Sequence, residues 1–169
     1  AHDLAVDNSG NVYATGSSVD SNGYYDYATV KYDPNGAYLW TERYNGPDNN
    51  HDEAVALAID NSGNVYVTGT TYDVNGSGDY AAIKYDTNGN EVWDSRYEGA
   101  GFWWSPPSHP LAVDSQGNVY ITDTYTIKSD AGGNPYVTGA PTMKYGSNGN
   151  LLWVAEPGSS LALDSRGNV

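Results

Sequence analysis

Apolar and polar residues alternate along most of the chain in short runs, each closed by a cluster of Asp, Asn, Ser and Gly. Strict alternation places successive side chains on opposite faces of an extended strand. Around the middle of the chain the pattern predicts strands at Ala56–Ile59, Val65–Thr68, Tyr80–Tyr85 and Glu91–Tyr97, all rich in β-branched or aromatic residues. No stretch carries the 3.6-residue period of a helix. The fold class this predicts is all-β.

The same pattern returns along the chain. DNSGNVYATG at Asp7 recurs as DNSGNVYVTG at Asp60, as DSQGNVYITD at Asp114 and, cut short, as DSRGNV at Asp164, with offsets of 53, 54 and 50 residues. A second hairpin repeats between them: YATVKYDPNGAYLW from Tyr27, YAAIKYDTNGNEVW from Tyr80 and PTMKYGSNGNLLW from Pro141. Four short strands with their turns fill such a period, so each period reads as one β-propeller blade. The turns share a chemistry: Asp and Asn bond their own backbone two residues on, and Gly supplies the positive φ of the reversal.

The strand positions then sort into faces. Leu4 and Val6, Leu57 and Ile59, Leu111 and Val113, and Leu161 and Leu163 share one face of the first strands, with Ala5, Ala58, Ala112 and Ala162 opposite. Val30, Ile83 and Met143 occupy one position of the third strand, and Trp40, Trp93 and Trp153 one of the fourth; both read as blade-to-blade core. The chain is a single array: blade one about 2–46, blade two about 53–99, blade three about 109–158, and the opening of a further blade at 160–169.

Three blades do not close a ring, since propellers use about four or more. Either the chain continues, Ala1 lying mid-array as in an excerpted or processed chain, or the surplus first strand is donated to a neighbour. Leu161, Leu163 and Val169 at one end, and Leu4 and Val6 at the other, are the candidate assembly residues, because neither end carries a polar cap. Head-to-tail addition whose rotation does not close would give a filament.

Charge narrows the partners. The chain carries 21 acidic against 7 basic residues, a formal net charge of −14, and a sequence pI near 4.1. Nucleic acid is excluded as a partner, because phosphate binding needs clustered Lys and Arg, whereas Lys31, Lys84 and Lys144 stand singly at one repeat position. No run of 18 apolar residues is present, so no membrane insertion is expected. The chain has no cysteine, which removes disulfides, thiol catalysis and cysteine-zinc sites.

With these motifs in view, the chain resembles the bacterial and archaeal β-propeller repeat family abbreviated SBBP, whose units pair an Asp-Gly-Asn-Val-Tyr-Val-Thr-Gly strand with a Lys-Tyr-Asp-x-Asn-Gly-x-x-x-Trp hairpin. Blades one and two carry both motifs closely; blade three departs at Asp123, at Gly146 and in an insertion around Lys128 to Pro135. The resemblance implies a propeller, commonly in a secreted or cell-surface setting, and no catalytic residues.

Candidate chemistry is sparse. The loops at Asp33, Asp73 and Asp86 resemble oxygen-rich calcium loops but lack the alternating carboxylates and closing Glu of a strong site, so hairpin turns are the preferred reading and no cofactor is implied. His2 and His109 share a repeat position at a strand start and His51 lies in a loop, a spacing unlike a zinc site. No nucleophile elbow appears, and no enzyme is expected. Glu98 to Pro110, EGAGFWWSPPSHP, breaks the repeat with Phe102, Trp103 and Trp104, which either plug the blade junction or bind a sugar or protein partner. Asn75-Gly76-Ser77 is a glycosylation sequon in a loop. The leading expectation is a noncatalytic extracellular structural or interaction module, completed by further blades or by other copies of itself. The alternative is a carbohydrate-binding propeller that uses the aromatic loop.

Overall fold

The computed structural model describes residues 1–102, 110–122, 126–129, 135–138 and 142–155. β1 (Asp3–Val6), β2 (Val12–Val19), β3 (Tyr25–Tyr32) and β4 (Tyr38–Tyr44) form one antiparallel meander, blade one. Blade two repeats it with β5 (Asp52–Ile59), β6 (Val65–Tyr72), β7 (Gly78–Tyr85) and β8 (Glu91–Phe102). Next come β9 (Leu111–Val113), β10 (Val119–Thr122), β11 (Thr126–Ser129), β12 (Pro135–Thr138), β13 (Thr142–Tyr145) and β14 (Leu151–Ala155). Blade three is built in the order β14-β13-β10-β9, and β11 and β12 form a separate hairpin in the insertion that the sequence marks around Lys128. The described residues hold no helix, and the three four-stranded sheets make an incomplete β-propeller. The expected opening of a further blade, with Leu161, Leu163 and Val169, lies outside the described residues.

One turn chemistry sets the register. In the β5–β6 turn Asp60 Oδ1 accepts the N–H groups of Ser62 and Asn64, and its carbonyl accepts Gly63 N–H at 3.0 Å. The Asp7 and Asp114 turns repeat this geometry. Fixing these reversals pairs Val67 with Ile83 and Tyr66 with Lys84, so large apolar side chains collect on one face and Tyr and Lys on the other.

Those two faces are the core. Leu57, Val65, Val67, Ile83 and Tyr85 of blade two pack on Tyr13, Tyr27, Trp40 and Tyr44 of blade one. Tyr66, Tyr80 and Ala82 on the reverse face pack on Val119, Ile121, Met143 and Tyr145 of blade three. First strands lie side by side, β1 against β5 and β5 against β9. Two hydrogen bonds fasten the first pair: Leu57 N–H to Asp3 Oδ2 at 2.8 Å, and His2 Nδ1 to the Ala54 carbonyl at 2.7 Å.

Three expectations need correction. The strands of blade two run longer than the apolar alternation predicts: β5 starts at Asp52 and passes a bulge between Ala54 and Ala56, while β6 continues to Tyr72 and β8 to Phe102. The bulge breaks the period-two pattern and hides the start of β5. Second, Leu4 and Val6 share the position of a core face yet are 60% and 57% exposed, because no blade among the described residues covers that face. Third, the repeated tryptophan is core only where a following blade covers it: Trp40 is 9% exposed and Trp153 38%.

Candidate functional site

A polar stack recurs at the end of the blades that carries the Asp turns. In blade one Asp7 Oδ2 accepts the Tyr13 hydroxyl at 3.1 Å, Lys31 Nζ sits 4.9 Å above the Tyr13 ring, and the Trp40 ring meets that ring edge-on at 6.0 Å. Asp60, Tyr66, Lys84 and Trp93 repeat the stack in blade two, and Asp114, Tyr120, Lys144 and Trp153 in blade three. Trp40 and Trp93 reach into the next blade: Trp40 Nε1–H donates to the Thr87 carbonyl at 3.3 Å and Trp93 Nε1–H to the Ser147 carbonyl at 3.0 Å. The lysines are thus committed over an aromatic ring, and Lys31 also donates to the Thr87 carbonyl at 3.0 Å. These residues join blades.

The model of the beta-propeller repeat family, SBBP, matches residues 40–75. That SBBP match runs from Trp40 through the Asp60 turn to Asn75, so it takes in β4, β5 and β6 and the junction between two blades. It bears out the resemblance read from the sequence. Among solved structures, a protein of unknown function from Bacteroides caccae matches with a TM-score of 0.58 at 16% identity, over 98% of this chain and 50% of that one. At that identity the likeness speaks for the fold alone, and the chain spans about half the length of that relative. No curated protein matches.

The opposite end of the blades carries the links between them and a second, buried polar cluster. Asp52 at the start of β5 is fully buried, and its Oδ2 accepts the Gly46 N–H of the blade-one to blade-two link at 2.6 Å. Among the described residues its Oδ1 has no hydrogen-bond partner, nor do the neighbouring Tyr27 hydroxyl and Thr71 Oγ1. Burial, seconded by the Asp26 carboxylate, pushes the Asp52 carboxyl up to about 7 against the pull of the Gly46 N–H. Gly69 makes room here: a Cβ on it would lie 2.7 Å from the Tyr27 hydroxyl. Two ion pairs at equivalent positions flank the cluster, Arg43 with Asp26 at 2.7 Å and Arg96 with Asp79 at 2.9 Å. Sequence reasoning passed over Asp52 because it sits beyond the bulge, where the region reads as loop.

The candidate residues are not brought together. Leu4 and Val6 lie on the open face of blade one and Asn75 is exposed in the β6–β7 turn. The Phe102 backbone pairs with Gly78 at the end of blade two, while Trp103 and Trp104, like Leu161, Leu163, Val169 and His109, lie outside the described residues. In the loops compared with calcium sites the carboxylates are engaged by the turn itself: Asp73 Oδ1 accepts the N–H groups of Asn75 and Ser77, and Asp33 Oδ1 those of Asn35 and Ala37. Among the described residues no three His, Asp or Glu side chains are grouped to hold a metal.

Proposed function

We propose that this chain is a noncatalytic structural and interaction module of an extracellular or cell-surface protein, whose blades are completed through their open faces by further chain or by neighbouring subunits. One contrast carries the reading. Leu57, Val65, Ile83 and Tyr85 of blade two are at most 7% exposed, whereas their blade-one counterparts Leu4, Val12, Val30 and Tyr32 are exposed or half-buried. The blade-one face repeats a surface that elsewhere in the chain is blade-to-blade core, so it is built to receive the far side of another blade. Commitment of the Asp, Lys and Trp side chains to turns and blade junctions supports a role without catalysis. The acidic charge and the exposed Asn75 sequon support a surface setting. Where the neighbour is another copy, head-to-tail addition that does not close produces a fibre.

Light scattering over a concentration series, paired with binding of a hydrophobic fluorescent dye, tests this. The parent is expected to self-associate or to bind dye, and Leu4→Asp with Val6→Asp to weaken whichever is seen. A monomer at every concentration, with dye binding that the double substitution leaves unchanged, overturns the reading.

A further inference from the structure

Framework residues of this chain repeat from blade to blade, so departures from the repeat that meet in space call for a different explanation. Tyr24 and Tyr25 stand where blade two has Ser77 and Gly78, and His51 belongs to the non-repeating link between blades one and two. The fold brings them together at the linker end. The His51 ring lies 5.2 Å from Tyr24, nearly edge-on at 73°, and 5.3 Å from Tyr25, tilted by 37°. All three are exposed, Tyr24 at 40% and Tyr25 at 48%, whereas the strand tyrosines of the blade interfaces, such as Tyr13 at 0% and Tyr27 at 1%, are buried.

The cluster is held in place from several sides. Tyr24 N–H donates to Asp20 Oδ1 at 2.8 Å, the His51 carbonyl accepts Tyr72 N–H at 3.0 Å, and Asn50 Nδ2 donates to the Asp73 carbonyl at 2.6 Å. Tyr25 N–H donates to His51 Nδ1 at 3.1 Å, which makes Nδ1 the acceptor and places the neutral ring's proton on Nε2. Val19, 53% exposed and paired directly with Tyr25, extends the apolar floor. Rigid aromatic surface with fixed polar edges loses little conformational entropy when it takes a ligand.

We propose that Tyr24, Tyr25 and His51 form a binding platform for a neutral saccharide ring, whose C–H face stacks on the tyrosines while a hydroxyl accepts the His51 Nε2–H. The chemistry selects among ligands. A cationic amine has no acceptor to offer that N–H, and an anionic sugar or phosphate meets a chain of net charge −14 and the Asp20 carboxylate of the adjoining turn. A neutral polyol satisfies both constraints. The Phe102 backbone pairs with Gly78, the blade-two counterpart of Tyr25, so the last residue of β8 lies at the corresponding end of blade two. This site lies apart from the open blade faces and goes beyond the scaffold role.

The test is retardation of the full chain in native gels holding soluble neutral polysaccharides, namely a β-glucan, a mannan and a xylan, with polygalacturonate as the anionic comparison. At least one neutral polymer is expected to retard the chain and polygalacturonate not to. Tyr24→Ala and Tyr25→Ala are each expected to weaken that retardation about tenfold, as truncation of an aromatic anchor does. His51→Phe keeps the ring, removes the donor and is expected to weaken it as well. Tyr38→Ala, which removes a 61% exposed tyrosine elsewhere, is expected to change nothing. Near-ultraviolet circular dichroism verifies that each variant is folded. Absence of retardation by every neutral polymer, or retardation that the Tyr24 and Tyr25 substitutions leave intact, overturns the proposal. So does finding that the cluster captures only a protein. None of these results touches the open faces, which are read by mass and dye binding.

Discussion

Trp40 of blade one lies flat against Gly89 of blade two, so closely that a Cβ on Gly89 would fall 3.0 Å from Trp40 Cδ2. Gly36 is the same hairpin position one blade earlier, with φ +82 against +90 for Gly89, and a Cβ there would meet nothing within 4 Å. The two glycines therefore share a backbone requirement and differ in the neighbour. Gly36→Ala is expected to cost about 1 kcal/mol through the left-handed backbone alone. Gly89→Ala is expected to cost about 2–4 kcal/mol, since the indole must also shift. Urea denaturation of both variants checks this, and equal losses would mean that the Trp40 contact contributes nothing to the blade junction.

The carboxylates divide into two groups with opposite pH signatures. Asp52 is raised from its ordinary 3.8 to about 7 by burial, so between those values the folded chain holds a proton that the unfolded chain has lost, and stability falls as pH rises through that window. The turn carboxylates go the other way: Asp33 is lowered by the Ala37 N–H, Asp73 by the Ser77 N–H and Asp86 by the Asn90 amide. Their contribution is present above the ordinary carboxylate value and is lost as pH falls below it. Together they place maximal stability on the acid side of neutrality. Asp52→Asn keeps an acceptor for Gly46 N–H and is expected to flatten the decline toward pH 7. Glu91, raised by burial and by Asp94, leaves a residual slope. Thermal melts across pH 3 to 9 give the curve, and an unaltered decline in Asp52→Asn excludes Asp52 as its source.

The architecture was legible because it is written in turns. Each Asp-x-x-Gly reversal uses side-chain oxygens that the residue types themselves supply, and alternation between reversals marks which residues face a neighbouring blade. What stayed hidden has physical causes. Thr70 and Thr71 are at most 2% exposed yet polar, so the apolar pattern stops at Thr68 while β6 runs on. Asp52 sits across a bulge from the alternation that would have announced it. His51, in a link between blades, and Tyr25, at the start of β3, are 26 residues apart, and no periodicity relates them. Repeat logic finds what blades share; the saccharide platform is built from what one blade does not share.

Asp60, like Asp7 and Asp114, has both carboxylate oxygens engaged, with Oδ1 accepting two backbone N–H groups and Oδ2 accepting Asn64 Nδ2 at 2.7 Å and the Tyr66 hydroxyl at 3.0 Å. Asp60→Ala strips all four and leaves partly buried donors unpaired, for an expected loss of about 2–3 kcal/mol. Tyr66→Phe removes one of those bonds and keeps the ring under Lys84, so it is expected to cost about 1 kcal/mol. The double variant is expected to lose less than the sum, because the shared bond is counted once. Additive losses in a double-mutant cycle would show that the Asp60 to Tyr66 bond carries no coupling.

Leu4 and Leu57 occupy one repeat position on equivalent first strands, 60% and 7% exposed, and so measure what a neighbouring blade adds. Leu57→Ala opens a cavity against Tyr13 and Trp40 and is expected to cost about 2–4 kcal/mol. Leu4→Ala removes the same atoms from a face already in water and is expected to cost less than about 0.5 kcal/mol in dilute monomeric protein. Concentration sharpens the comparison. If association covers the open face, the cost of Leu4→Ala grows as protein concentration rises, because the associated state then shares the stability linkage. The cost of Leu57→Ala stays where it was. Denaturation midpoints at two widely separated protein concentrations read both variants at once. A large Leu4→Ala penalty in the dilute monomer would show that the chain already covers this face by itself, and that it is not a site for a neighbour.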